Sequence, residues 1–432
     1  MTCRTPVRSD PAEAARTAAR PQRAGGLLVF AVLLALLLPL VTACDREVEV
    51  RPPQASTDTS DQRADQARKA IAGLVEGVRS GTRDDVIGLA TPDSRQLLGW
   101  VHDNAAALRI TDLSMRYLDE AAPLSAAEQA EFGKDAWRGS VELEYRYDGF
   151  DKAPARMETS AVFVPTPDGI RIASFGDAES RTPLWLADKL SVVRKPETSL
   201  AVAGDSAGRY AQLMGPAVRQ ARRVLPNWRG PLLVEVPSSG KQLDSVLQAD
   251  PGKYANIAAV TTTVDGSLSS DAPVRVFVNP TVFGRLKERG AQVVMSHEAT
   301  HVATGATFAT MPTWLQEGFA DFAALDGAGV PVELAARQIL DRIRKEGLPR
   351  RLPTAADLDP SADGLGATYE EAWLACRFMA QKYGADRLMR FYRTVSDGAS
   401  TQEAFRSELG TTQQRFVAQW RADLARLAGV AR

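Results

Sequence analysis

The chain has 432 residues, enough for two or three domains at ~150 residues each, and is 44% hydrophobic and 24% charged, the balance of a globular protein. Its 52 Lys and Arg against 53 Asp and Glu give a net charge of −1, without the basic excess of a nucleic-acid surface. Three cysteines cannot build a disulfide scaffold, and three histidines leave few places for imidazole chemistry.

At the N-terminus, Arg4, Arg8, Arg16, Arg20 and Arg23 stand against Asp10 and Glu13 alone, and residues 27–41 are apolar and uncharged. Fifteen helical residues cover ~22 Å, short of the ~30 Å hydrocarbon core, so the segment reads as a secretory signal, with an uncleaved anchor helix as the alternative. The run Leu40-Val41-Thr42-Ala43-Cys44 resembles the lipobox of bacterial lipoproteins. That resemblance implies removal of residues 1–43 and a lipid thioether on Cys44, holding the protein at the membrane on its extracytoplasmic face. Residues 44–62 are rich in Pro, small polar residues and charges without an apolar period, the composition of a polar tether.

From Asp61 the pattern turns regular. Ala67, Ile71, Leu74, Val75 and Val78 recur at helical spacing up to Gly81, and Asp84 to Leu89 reads as a second helix. Val141, Leu143, Tyr145 and Tyr147 alternate with polar residues as in a half-buried strand; Met157 to Val164 and Gly169 to Ile172 follow as two more. Helices followed by antiparallel strands predict an α+β domain over 63–185, similar in architecture to the cystatin-like or nuclear-transport-factor-two-like folds, in which helices pack on a curved antiparallel sheet. Residues 186–200, with their charges and Pro196, read as a boundary. A helix over about 207–225 is then expected, with strands at Leu232–Val236, Ile257–Val264 and Val274–Val278 and a second domain extending over 200–430.

Residues 293–304 read VVMSHEATHVAT. His297 and His301 stand at i and i+4, so both imidazoles leave one face of a helix, the convergence a zinc ion needs with Zn–N bonds of about 2.0 Å. Glu298 lies about 100° further round the axis, where a carboxylate can take a proton from the attacking water. A catalytic zinc needs a third protein ligand, and no histidine follows, so a carboxylate must supply it. Met311 to Asp321 offers Glu317, with Asp321 four residues on and Trp314, Leu315 and Phe319 on an apolar side.

HEATH, with WLQEG placing Glu317 sixteen residues after His301, resembles the gluzincins of the peptidase MA clan. The resemblance implies one zinc ion held by His297, His301 and Glu317, Glu298 as general base, and Asp321 as the carboxylate that orients a ligand histidine. It further implies a metallopeptidase-like fold of a small sheet, zinc-binding helices and a helical C-terminal part. The stretch from Ala367 to Phe378, closing at Tyr383-Gly384, is similar to the C-terminal region of such proteins and makes Tyr369 the candidate donor to the oxyanion. In gluzincins the strand before the zinc helix is an edge that pairs with substrate; here Val274–Val278 is the expected counterpart. The amine-binding motif of the clan's aminopeptidases has no match in Asn279 to Gly284, which favours an endopeptidase.

The expectation is an α+β, membrane-anchored, extracytoplasmic zinc metallohydrolase cleaving peptide or protein substrates of the cell envelope, with no nucleic acid as partner. Amide hydrolysis in cell-wall material fits the same residues. The reading from another class is a non-catalytic binding or assembly lipoprotein that retains a structural zinc domain. His102, beside Asp103, and Cys376, among Trp373, Phe378 and Met379, carry no expected role in the chemistry.

Overall fold

The computed structural model describes residues 59–204 and 206–431; the expected signal segment, Cys44 and the tether up to residue 58 lie outside the described residues. Helix α1 (Thr59–Arg79) begins two residues before the expected start at Asp61 and buries Ala67, Ile71 and Leu74. It is followed by α2 (Arg83–Ile87) and α3 (Arg95–Leu108). Thr82 opens α2 with a capping box, its hydroxyl accepting from the Asp85 amide while Asp85 accepts from the Thr82 amide.

Strand β1 (Ile110–Glu120), helix α4 (Ala126–Phe132) and strands β2 (Trp137–Tyr147), β3 (Ala155–Thr166) and β4 (Gly169–Phe175) complete an antiparallel meander in the order β1-β2-β3-β4. The alternation of Val141, Leu143, Tyr145 and Tyr147 puts all four on the buried face, against the apolar sides of α1 and α3. Strand β1 was not legible in the sequence: Asp112, at φ 51°, sits in a register shift between Thr111 and Ser114 that interrupts its period.

The segment expected to be a boundary is strand. After α5 (Leu184–Ala187), β5 (Leu190–Lys195) and β6 (Thr198–Ala203) form a hairpin at the edge of a second sheet. Its charges, Arg194, Lys195 and Glu197, mimic a linker because an outermost strand is where charged side chains are tolerated and useful. Helix α6 (Gly208–Val224) carries Tyr210, Leu213, Met214, Ala217, Val218 and Ala221 inward. Then come β7 (Leu232–Val236), α7 (Gly240–Leu247), β8 (Ala259–Thr263) and β9 (Val274–Val278).

The second sheet runs β5-β6-β7-β9-β8, with β6, β7 and β9 parallel and the two outer strands antiparallel to their neighbours. The expectation that Val274–Val278 is an edge strand is therefore corrected. Strand β9 is paired on both sides and four of its five residues are buried, whereas β8 is the free edge.

Helices fill the rest: α8 (Pro280–Phe283), α9 (Glu288–Thr304), α10 (Thr313–Leu325), α11 (Val332–Ala335), α12 (Arg337–Glu346), α13 (Leu365–Tyr383), α14 (Ala385–Ser396), α15 (Thr401–Ser407) and α16 (Gln413–Ala428). The described residues are thus mixed α and β with two sheets. Its two sheets share one apolar cluster, in which Tyr145, Tyr147 and Trp185 meet Leu233, Leu247 and Phe277. Within that cluster Arg275 of β9 makes a two-pronged ion pair with Asp151 (2.7 and 2.6 Å), and Tyr147 donates to Glu235 of β7 (3.0 Å), all four buried.

Candidate metal centre

Helix α9 lies beside β8, α6 and α10, and its two histidines leave one face, one helical turn apart. Facing them, α10 presents Glu317 and Asp321. What lets α10 come so close to α13 is Gly318: a Cβ there would collide with the carbonyl of Ala372 and lie 3.0 Å from the Cys376 sulfur. The glycine beside Glu317 is therefore a requirement of helix packing. On the other side of α10, Trp314, Leu315 and Phe319 anchor it in the C-terminal helical core, with the Phe319 ring 4.2 Å from that of Tyr392.

His297 Nε2 lies 2.9 Å from His301 Nε2 and 3.2 Å from Glu317 Oε2, and His301 Nε2 is 3.4 Å from the same oxygen. These three side chains offer donor atoms all within 4.8 Å of one another. Tetrahedral zinc with bonds near 2.0–2.1 Å holds its ligand atoms roughly 3.3 Å apart, so the spacing fits that ion. The donor set fits too. His297 Nδ1 donates to Asp321 at 2.8 Å, which turns its Nε2 towards His301 and Glu317. Two imidazole nitrogens and a carboxylate oxygen aimed at one point are the chemistry of a cation site.

Electrostatics follow from the crowding. Burial disfavours the His297 cation, but Asp321 and Glu317 outweigh it and hold its pKa well above the ordinary histidine value. Burial likewise opposes ionisation of Glu317, but the charges and hydrogen bonds of His301 and His297 keep it firmly a carboxylate.

Glu298 is buried against the free edge of the sheet. Its Oε2 accepts from the Thr261 hydroxyl of β8 at 2.6 Å. Thr261 carried no signal in the sequence, since Thr261-Thr262-Thr263 reads only as a strand. Its role comes from a contact 37 residues away. Tyr369 falls in the second turn of α13, which begins at Leu365, and its ring lies 6.3 Å from that of His297. Burial, then the charges of Glu317, Asp321 and Glu298, push the phenol far up, so it keeps its proton. A cleft of about 280 Å³ brings together His297, Glu298, His301, Glu317 and Tyr369 under Tyr254, Ile257 and Pro360.

His102 sits on α3 with its Nδ1 3.3 Å from Asp103, outside this cleft. Cys376 is fully buried in the C-terminal core, where burial pushes its thiol up, and it is no nucleophile. Among the described residues no helix is long and apolar enough to cross a membrane.

No family model matches the chain, and no curated protein matches it. Among solved structures, a mutant of the M1 zinc metallopeptidase from Deinococcus radiodurans is similar, with 14% identity and a TM-score of 0.33. The likeness covers 73% of this chain and 61% of that one, so the chain spans less than two thirds of that protein's length.

Proposed function

We propose that the protein is a zinc-dependent hydrolase that cleaves peptide bonds, anchored through a lipid on Cys44 at the extracytoplasmic face of the membrane and acting on peptides or proteins of the cell envelope. The observation that carries the reading is the convergence of His297, His301 and Glu317 with the Glu298 carboxylate beside them. Zinc, when bound there, polarises the scissile carbonyl and the attacking water.

The remaining work falls to side chains. The Glu298 carboxylate, oriented by the Thr261 hydroxyl, accepts the proton of the attacking water and returns it to the leaving amine. The protonated Tyr369 phenol donates to the carbonyl oxygen as it gains charge. Asp321 fixes the His297 tautomer and orientation. Strand β8, the free edge beside Glu298, offers unpaired backbone groups to an extended substrate.

The test uses the full chain in an uncharged detergent. About one zinc per chain is expected, lost on His301→Ala but kept in Glu298→Gln. Glu298→Gln should reduce hydrolysis of a fluorogenic peptide by roughly 10²–10⁴-fold. A wild-type chain that takes up no zinc on refilling, or a Glu298→Gln variant that hydrolyses as fast as wild type, would overturn the reading.

A further inference from the structure

A second concavity, of about 630 Å³, opens among the C-terminal helices, on a set of residues that shares none with the zinc-site cleft. Its walls carry Arg350 and Arg351 from the loop after α12, Gln402 and Arg406 from α15, and Gln414 and Arg421 from α16. Gln414 and Arg421 are seven residues apart, two helical turns, and so share one face of α16.

Charge pairing distinguishes this cleft. Four others, including the one at the histidines, each have at least one carboxylate in their walls; the neighbouring cleft that shares Arg350 and Arg351 balances three arginines with Glu346, Asp357 and Glu371. Here the walls carry four arginines and no acid. Arg351 is committed, gripping Asp357 at 2.5 and 3.2 Å. Among the described residues Arg350, Arg406 and Arg421 form no ion pair, and the buried Nε of Arg421 finds no acceptor. Of the three, Arg406 has a carboxylate near enough to feel its charge, Glu403 one turn away on its own helix, but no direct ion pair; three guanidinium groups without a direct ion pair, from three separate elements, thus meet around one cavity. Clustered at one place rather than strung along a groove, they match a compact oxyanion with several oxygens, which a planar guanidinium fork grips in pairs.

We propose that this cleft binds a phosphate-bearing ligand through Arg350, Arg406 and Arg421, whether the phosphate belongs to a lipid headgroup or to a soluble compound. The site is independent of the zinc chemistry.

The test is arginine-by-arginine protection from phenylglyoxal, read by peptide mass spectrometry on the full chain in an uncharged detergent. Exposed Arg79 and Arg95 serve as controls. The probes are inorganic phosphate, micelles doped with phosphatidylglycerol, and hexaglutamate, all at matched ionic strength. Severalfold slower labelling of Arg350, Arg406 and Arg421, with the controls unchanged, is expected with at least one phosphate probe. Protection by phosphate alone identifies a soluble ligand, and protection by the doped micelles alone identifies a headgroup. Both support the site, provided that Arg350→Gln with Arg406→Gln abolishes protection at Arg421. Both replaced residues are exposed, so the variant should fold. Labelling that no probe slows, protection that extends equally to the controls, or protection by hexaglutamate alone would overturn the proposal.

Discussion

Tyr369 stands where a phenol can serve an oxyanion: beside His297, in the cleft, and kept protonated by burial and by three carboxylates. Tyr369→Phe removes one hydroxyl and is expected to lower kcat roughly 10²–10³-fold, with KM and zinc content nearly unchanged. Equal rates for the two proteins would leave Tyr369 as packing only. Glu371 is a second residue whose environment makes a prediction. Burial raises its carboxyl pKa to about 7, against the pull of Arg342, with which it forms a close ion pair. A folded-state pKa above the unfolded value of about 4.5 means that the folded form holds the proton more tightly. The stability this contributes is complete below about pH 4.5 and is lost as pH rises through about 7. Urea midpoints measured with chelator present should therefore fall across that window, and the fall should flatten in Glu371→Gln.

Between elements, the contact that sets the site is that of α10 with α13 at Gly318. Gly318→Ala would drive a methyl group into the Ala372 backbone, which cannot yield as a flexible side chain would. Overpacking of this kind costs ~1–3 kcal/mol, and it should also shift Glu317, the next residue. Thermal melts should show a lower Tm for the variant in chelator and a smaller upward shift on adding zinc than for wild type. An unchanged shift would mean that α10 holds its ligand independently of this packing. The same scale explains the corrected edge strand. Seen along the chain, Val274–Val278 precedes the zinc helix, but pairing from Ala259↔Val278 to Thr263↔Val274 covers it with β8. Which strand is outermost depends on strand order, and strand order is not a property of any one segment.

Across the whole molecule, the two sheets are tied by an apolar cluster with a charged centre, Asp151, Arg275, Glu235 and Tyr147. Arg275→Met would leave two carboxylates buried without their cation. Removing one partner of a buried ion pair costs ~3–5 kcal/mol, a large share of the stability of a folded chain. The denaturation midpoint, followed both by the fluorescence of Trp185 near this interface and by far-ultraviolet circular dichroism, should drop by the corresponding amount. A midpoint that does not move would show that the apolar cluster alone joins the sheets.

The sequence by itself singled out His297, Glu298 and His301 as a candidate site, because they lie within two turns of one helix, whose geometry is local and whose period is read directly. Glu317 followed from the lack of any further histidine and, with Asp321, from the resemblance to gluzincins. The helices of α1 and α6 and the alternation of β2 were legible, as the histidine pair was, from a local period. Tertiary structure alone decided that Thr261 would reach Glu298, that residues 190–203 would be strand rather than linker, and that Arg350, Arg406 and Arg421 would gather round one cavity. Each of those depends on contacts between residues distant along the chain. No local period records them, because what selects them is burial of apolar faces against partners that only the folded chain supplies.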